Sequence, residues 1–308
     1  NQLEKLSAEK LGKEAGLFVP SGTMGNLIAV LTHCGRGDEV IMGTKGHTFL
    51  FEAGGISALG GVHPHTIPNQ DDGTILLNDF EAAIRPINDH FPISKLIILE
   101  NTHNRCGGAP LTAEYTQSVQ VIAKKHNLYL HLDGARIFNA AVALNVNVKS
   151  LTNPCDSVTF CLSKGLCAPV GSVLCGSEEF IRNARRIRKQ LGGGMRQAGV
   201  IAAAGIVALE TMIDRLAEDH ENARFLAKSL SENNKLRLDM DSPKTNMVYV
   251  SLAPDVKENS QEIAAKLRQT GVLVGAVAER QFRLVTHYWI NDQAIEACVN
   301  QFRNVLNN

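Results

Sequence analysis

The sequence predicts an α/β protein, a mostly parallel sheet sandwiched by helices, with a smaller C-terminal α+β unit. Three observations predict it. Short apolar, β-branched runs alternate with amphipathic stretches through the first two thirds, the pattern of strands covered on both faces. From Arg196 the texture turns almost entirely helical, with a break near Asp214. The remainder then reads strand, helix, strand, helix. Domains at 1–212 and 213–308 follow, since 308 residues exceed the roughly 100–200 of one domain.

Each element has its own signature. The chain opens on a helical pattern, "NQLEKLSAEKLGKEAG" (1–16), already under way at Asn1, so an upstream segment is expected. "FVPSGTMGNL" carries Ser21-Gly22-Thr23 into the start of a second helix. Strands are expected at "EVIMG" (39–43), "VHPHTI" (62–67), "KLIILEN" (95–101), "LYLHLDG" (128–134), "SVTFCLS" (157–163) and "SVLCGS" (172–177). Helices are expected at "EAAIRPI" (81–87) and "AEYTQSVQVIAKKHN" (113–127), and again from Arg196. In the tail, "NMVYVSL" and "RLVTHYW" read as strands, "AAKLRQTG" and "AIEACVNQFRNVL" as helices.

Composition excludes several function classes. Lys plus Arg and Asp plus Glu balance at 31 each, so no global field recruits nucleic acid or an anionic membrane. The basic run "RNARRIRK" (182–189) lacks interleaved aromatics and reads as a solvated helix face. No stretch approaches the ~20 apolar residues of a membrane span. The cysteines at 34, 106, 155, 161, 167, 175 and 298 are odd in number and form no C-x-x-C pair. That argues against a disulfide framework or a zinc knuckle, predicts no metal, and points to a reducing, cytoplasmic setting.

In a parallel α/β sheet, ligands bind beyond the carboxyl ends of the strands. Several polar residues fall there: Glu100, Asn101 and His103 after one strand, Asp133 and Arg136 after the next, and Lys164 after a third. Gly22 and Thr23 open a helix, whose free N–H groups and dipole favour an anion. His47, Phe51 and Glu52 lie in "GHTFLFEAGG". A desolvated Lys164 could form a Schiff base, Asp133 could hold a protonated pyridine nitrogen, and Gly22 and Thr23 a phosphate. Those are the contacts that pyridoxal 5'-phosphate demands.

"HTFLFEAGG", "ENTHN", "HLDGARIFNA", "CLSKGLCAPVGS", "GGGMRQAG" and "RLVTH" resemble the motifs of the low-specificity L-threonine aldolases, over nearly the full chain. Those are fold-type I pyridoxal-phosphate enzymes, related in shape to aspartate aminotransferase, with a seven-stranded sheet in the large domain. The resemblance implies cleavage of L-threonine or L-allo-threonine to glycine and acetaldehyde, and a homotetramer, a dimer of dimers with shared sites. It makes Lys164 the cofactor's covalent anchor, Asp133 the partner of the ring nitrogen and Arg136 a neighbour of the ring hydroxyl. His47 would stack on the ring. Gly22, Thr23 and Arg196 would bind the phosphate, Arg283 the substrate carboxylate, and His103 would approach the β-hydroxyl. For the base, His47, His103 and a water held by Glu52 stay open. The family's N-terminal Arg-Ser-Asp-Thr type motif falls outside this sequence, and Cys167 stands where the family commonly carries glycine. The turn after Lys164 is strained if it needs positive φ there.

Two alternatives remain at this point. One is another enzyme of the same fold, an aminotransferase or β-eliminating lyase; the former needs a second-substrate pocket, for which no further arginine stands out. The other is a cofactor-binding but inactive homologue with a role in assembly.

Overall fold

Apolar runs too short for a helix and too apolar for the surface are stable only as strands buried from both sides. The computed structural model, which describes residues 1–239 and 241–307, forms its first sheet from six such runs and the partly buried edge segment "HPHTI". They are β1 (Ala15–Val19), β2 (Asp38–Gly43), β3 (His63–Ile67), β4 (Ile93–Glu100), β5 (Tyr129–Asp133), β6 (Ser157–Cys161) and β7 (Ser172–Gly176). Their order is β1-β7-β6-β5-β4-β2-β3. Pairing is parallel from β3 to β6, while β7 runs antiparallel between β6 and β1. Every residue of β6 and β7 is buried. Cys161 and Cys175 are among them, filling the core as small hydrophobes.

Three sequence expectations are corrected. The opening helix spans only Gln2–Leu11, ended by Gly12 at φ 66, and the chain then enters β1 rather than another turn. "AGLFV" was hidden because five residues containing a glycine carry little β signal. The helix expected at 81–87 lies at Leu77–Ala83, because the proline at 86 bars its continuation. The strand read in "RLVTHYW" is Gln281–Val285 and stops before the histidine.

The helix Gly22–His33 crosses this sheet beside β6. Its close approach depends on glycine: a Cβ at Gly25 would stand 2.6 Å from Thr159 Cγ2. Leu27 and Val30 join Val40, Met42 and Leu96 in one apolar cluster, and Ile28 joins Leu17, Val19 and Leu174 in another. The basic helix Glu178–Gln190 is a partly paired face: Arg185 and Arg188 reach Glu4, and Arg188 donates to the Phe18 carbonyl.

The chain divides into two compact units, Asn1–Asp214 and Arg215–Asn308. The second holds a four-stranded antiparallel sheet in the order β10-β11-β9-β8. Its strands are β8 (Leu236–Arg237), β9 (Met247–Leu252), β10 (Gly275–Ala278) and β11 (Gln281–Val285). Its core contains Phe282 and Phe302, edge to face at 5.5 Å. Each such buried ring contributes about 1.5–3 kcal/mol of transfer free energy. Among the described residues no helix is long and apolar enough to cross a membrane, and all seven cysteines are free thiols.

Candidate active site

β4 and β5 end side by side, with Glu100 opposite Asp133 in register, and Asp133 lies opposite Thr159 of β6. Lys164 follows five residues after Thr159, half-buried in the loop that leaves β6. Lys164 and Asp133 thus follow adjacent parallel strands at the same end of the sheet. The turn after Lys164 closes by a hydrogen bond from Cys167 N to Lys164 O, 2.9 Å long.

Cys167 has φ 59, the left-handed region expected if the family's glycine position is retained. An L side chain there costs about 1–2 kcal/mol. Glycine gives part of that back through the freedom of the unfolded chain, about 0.4–1 kcal/mol. Cys167→Gly is therefore expected to raise the urea midpoint modestly, by about 0.5–1 kcal/mol of stability; a lower midpoint contradicts the strain.

Around Asp133 lies a buried polar cluster. Asn26, in the middle of the helix Gly22–His33, donates from Nδ2 to Asp133 Oδ2 and to Glu52 Oε1, both at 2.9 Å. His47 Nδ1 meets the same Glu52 oxygen at 3.0 Å, while Glu52 Oε2 is buried without a partner. Glu100 accepts from the backbone of His47 at 2.7 Å and of Asn104 at 2.8 Å, so it pins the two segments that carry His47 and His103.

Three buried carboxylates crowd one wall, and the field reflects it. Burial first, then Asp133, pushes Glu100 up to about 7. Glu52 is raised by burial, and its hydrogen bond raises His47. A carboxyl raised on folding binds more protons folded than unfolded, so its contribution to stability falls as pH rises from about 4.5 to about 7. Glu100→Gln removes that slope: its stability relative to wild type should increase across this window by about 3 kcal/mol. Urea titrations of both proteins at several pH values check this, and parallel curves refute it.

His103 is buried. Burial, then Lys45, lowers its imidazole to about 4, and its Nδ1 has no hydrogen-bond partner. With His47, Glu100 and Asp133 it lines one cavity. Arg136 starts the helix Ile137–Leu144 and lines a second cavity with Cys161 and Gly165, beside the Lys164 loop.

Gly22 and Thr23 form the first turn of their helix, capped by Ser21 Oγ accepting from Met24 N at 3.2 Å. A Cβ at Gly22 would come within 3.0 Å of Cys161 Sγ, so bare backbone faces the end of β6. Arg196 lies exposed in the segment before the helix Gly199–Thr211, with no hydrogen bond or ion pair to this cluster. Arg283 is half-buried on β11 of the second unit, opposite Tyr249 of β9 and Gly275 of β10.

Two cluster members escaped the sequence reading, Asn26 and His131. Both had a signal. Asn26 is a lone amide immediately before the apolar run "LIAV" (27–30) of a helix, and His131 shares the face of Asp133 because alternate strand residues point the same way.

A family model described as β-eliminating lyase matches residues 1–253. A chain from Arabidopsis thaliana named "Probable low-specificity L-threonine aldolase 2" is 50% identical over 307 residues, covering 99% of this chain and 86% of the relative. The chain belongs to the low-specificity L-threonine aldolases of the β-eliminating lyase family. The low specificity L-threonine aldolase of Escherichia coli K12 is 43% identical over 306 residues, 99% of this chain and 89% of that one. Among solved structures, a Leishmania major threonine aldolase superposes with a TM-score of 0.85 at 23% identity, covering 99% of this chain and 89% of the other. That likeness bears out the α/β fold with its mostly parallel seven-stranded sheet.

Proposed function

We propose that the chain is a pyridoxal-phosphate-dependent aldehyde-lyase that cleaves L-threonine, L-allo-threonine or both to glycine and acetaldehyde. The observation that carries this reading is the carboxylate wall at the sheet edge, with Lys164 leaving the strand next to Asp133. The site fits the cofactor on its own chemistry. Buried carboxylates are costly without a cation, and a protonated ring nitrogen supplies one. The donor atoms of His47, Glu52 and Asp133 lie within 4.8 Å of one another, and the Asn26 amide already occupies two of them. The bare first turn at Gly22 and Thr23 suits a phosphate.

When bound, the cofactor supplies an aromatic ring that accepts the electron pair left as Cα–Cβ breaks. Lys164 would be the residue that holds it covalently through its amine. Asp133 would accept from the ring nitrogen, His47, with Glu52 on its Nδ1, would stack on the ring, and Arg136 would serve the ring hydroxyl. Gly22, Thr23 and Arg196 would hold the phosphate. Arg283 grips the substrate carboxylate as a bidentate fork. Of the candidate bases, His103 offers a neutral imidazole with an unpaired nitrogen, whereas His47 is tied to Glu52. His103 therefore takes the β-hydroxyl proton.

Residues 1–212 serve as the cofactor domain and 213–308 as the small domain. The enzyme works in the cytoplasm, in keeping with seven free thiols. It assembles as a homotetramer, a dimer of dimers. Apolar side chains left in the open support assembly: Phe51 beside His47 is 52% exposed, and Val200 and Val207 on one helix are 84% and 56% exposed. The test is simple. Threonine supplied without any keto acid should yield acetaldehyde and glycine in equal amounts. A requirement for a keto acid would instead indicate an aminotransferase, and a bound cofactor without turnover an inactive homologue.

A further inference from the structure

A chain of hydrogen bonds runs from His33 through Ser157, His131 and Asn26 to Asp133, and its polarity is fixed by chemistry. An ionised carboxylate only accepts. Asp133 Oδ2 therefore orients the Asn26 amide, and Nδ2 spends its two hydrogens on Asp133 and Glu52. Asn26 Oδ1 must then accept, and the group facing it at 3.2 Å is His131 Nε2, which donates. On the other side of the imidazole, Nδ1 lies 2.8 Å from Ser157 Oγ, which in turn lies 2.8 Å from His33 Nε2. His131 is fully buried, and burial lowers it to about 3, so the ring is neutral and Nδ1 is a bare acceptor. Ser157 then donates to His131 and accepts from His33. Every donor points toward the two carboxylates.

We propose that Asn26 and His131 are positioning residues for the reaction, a one-directional string of donors that clamps the Asp133 carboxylate in its acceptor role toward the cofactor ring. The string spans three elements: the helix Gly22–His33 supplies His33 and Asn26, β5 supplies His131 and Asp133, and β6 begins with Ser157. Breaking it at His131 leaves Asn26 Oδ1 without its donor, so the amide loses the anchor that holds its Nδ2 rigidly against Asp133. The role of Asp133 rests on the function proposed above; the direction of the string does not.

The test uses the holoenzyme, with histidines labelled by nitrogen-15 and the His131 signals assigned by their loss in His131→Gln. The Nε2–H tautomer should persist from pH 6 to 8; an Nδ1–H tautomer or a protonated ring overturns the proposal. Kinetics give the second readout. His131→Leu, apolar and of similar size, should lower kcat by about 10–100-fold, the worth of one charge-assisted hydrogen bond, with KM within about twofold. His131→Gln keeps a donor near Nε2 and should recover most of that loss. Equal rates for the leucine variant and wild type would refute the clamp, as would a glutamine variant no better than leucine. If the leucine variant does not fold, the tautomer alone decides. If Lys164→Ala stayed active while the Nε2–H tautomer was found, the function would fail and the string would stand.

Discussion

Lys164→Ala abolishes both the visible absorbance band of the bound cofactor and the release of acetaldehyde. The expectation follows from position. Lys164 leaves β6 in the loop next to Asp133, and the cofactor's aldehyde needs an amine at that edge. Lys13, whose amine burial pushes down from its ordinary value, donates to the Cys155 carbonyl and is engaged there. The variant should still fold, because Lys164 is half-buried and sits in a loop rather than in β6. The measurement is a spectrum of the purified variant with added pyridoxal phosphate, followed by a coupled acetaldehyde assay. A retained band with full turnover would end the assignment.

Asp133→Ala separates rate from affinity. In the proposed reaction the carboxylate would face charge that matters most as the carbon–carbon bond breaks, and removing such a preorganised group costs about 10²–10³-fold in kcat. Cofactor affinity should fall far less, by about tenfold, because the lysine link and the phosphate turn remain. Equal losses in the two quantities would refute an electronic role for Asp133. Asn26 and Glu52 would then be left facing a gap, so a control on folding by circular dichroism belongs beside the kinetics.

The sequence was most legible where function and fold coincide. Six of the seven strands of the large sheet are legible as short runs, and the polar residues at or just beyond the ends of β4, β5 and β6 stand out against their apolar cores. Asp133 and Lys164 are visible for that reason. β1 was lost because Gly16 dilutes a short run, and the helix at Leu77–Ala83 was misplaced because its apolar positions continue past the proline that ends it. Asn26 and His131 were harder for a different reason. Their importance lies in which atoms donate to which, and such a relation appears only when a helix is laid across two strands. The strain at Cys167 lay in between. The resemblance flagged the position, and the backbone supplied the angle of φ 59.

The helix Gly22–His33 carries the Gly22-Thr23 turn proposed for the phosphate at its start, the Asn26 amide in its middle and a terminal imidazole on the string. At 3.6 residues per turn, one inserted residue would swing everything beyond it through about 100°. Three separate duties would be lost at a stroke. This segment should refuse insertion, a fixed ruler against which the rest of the enzyme is measured.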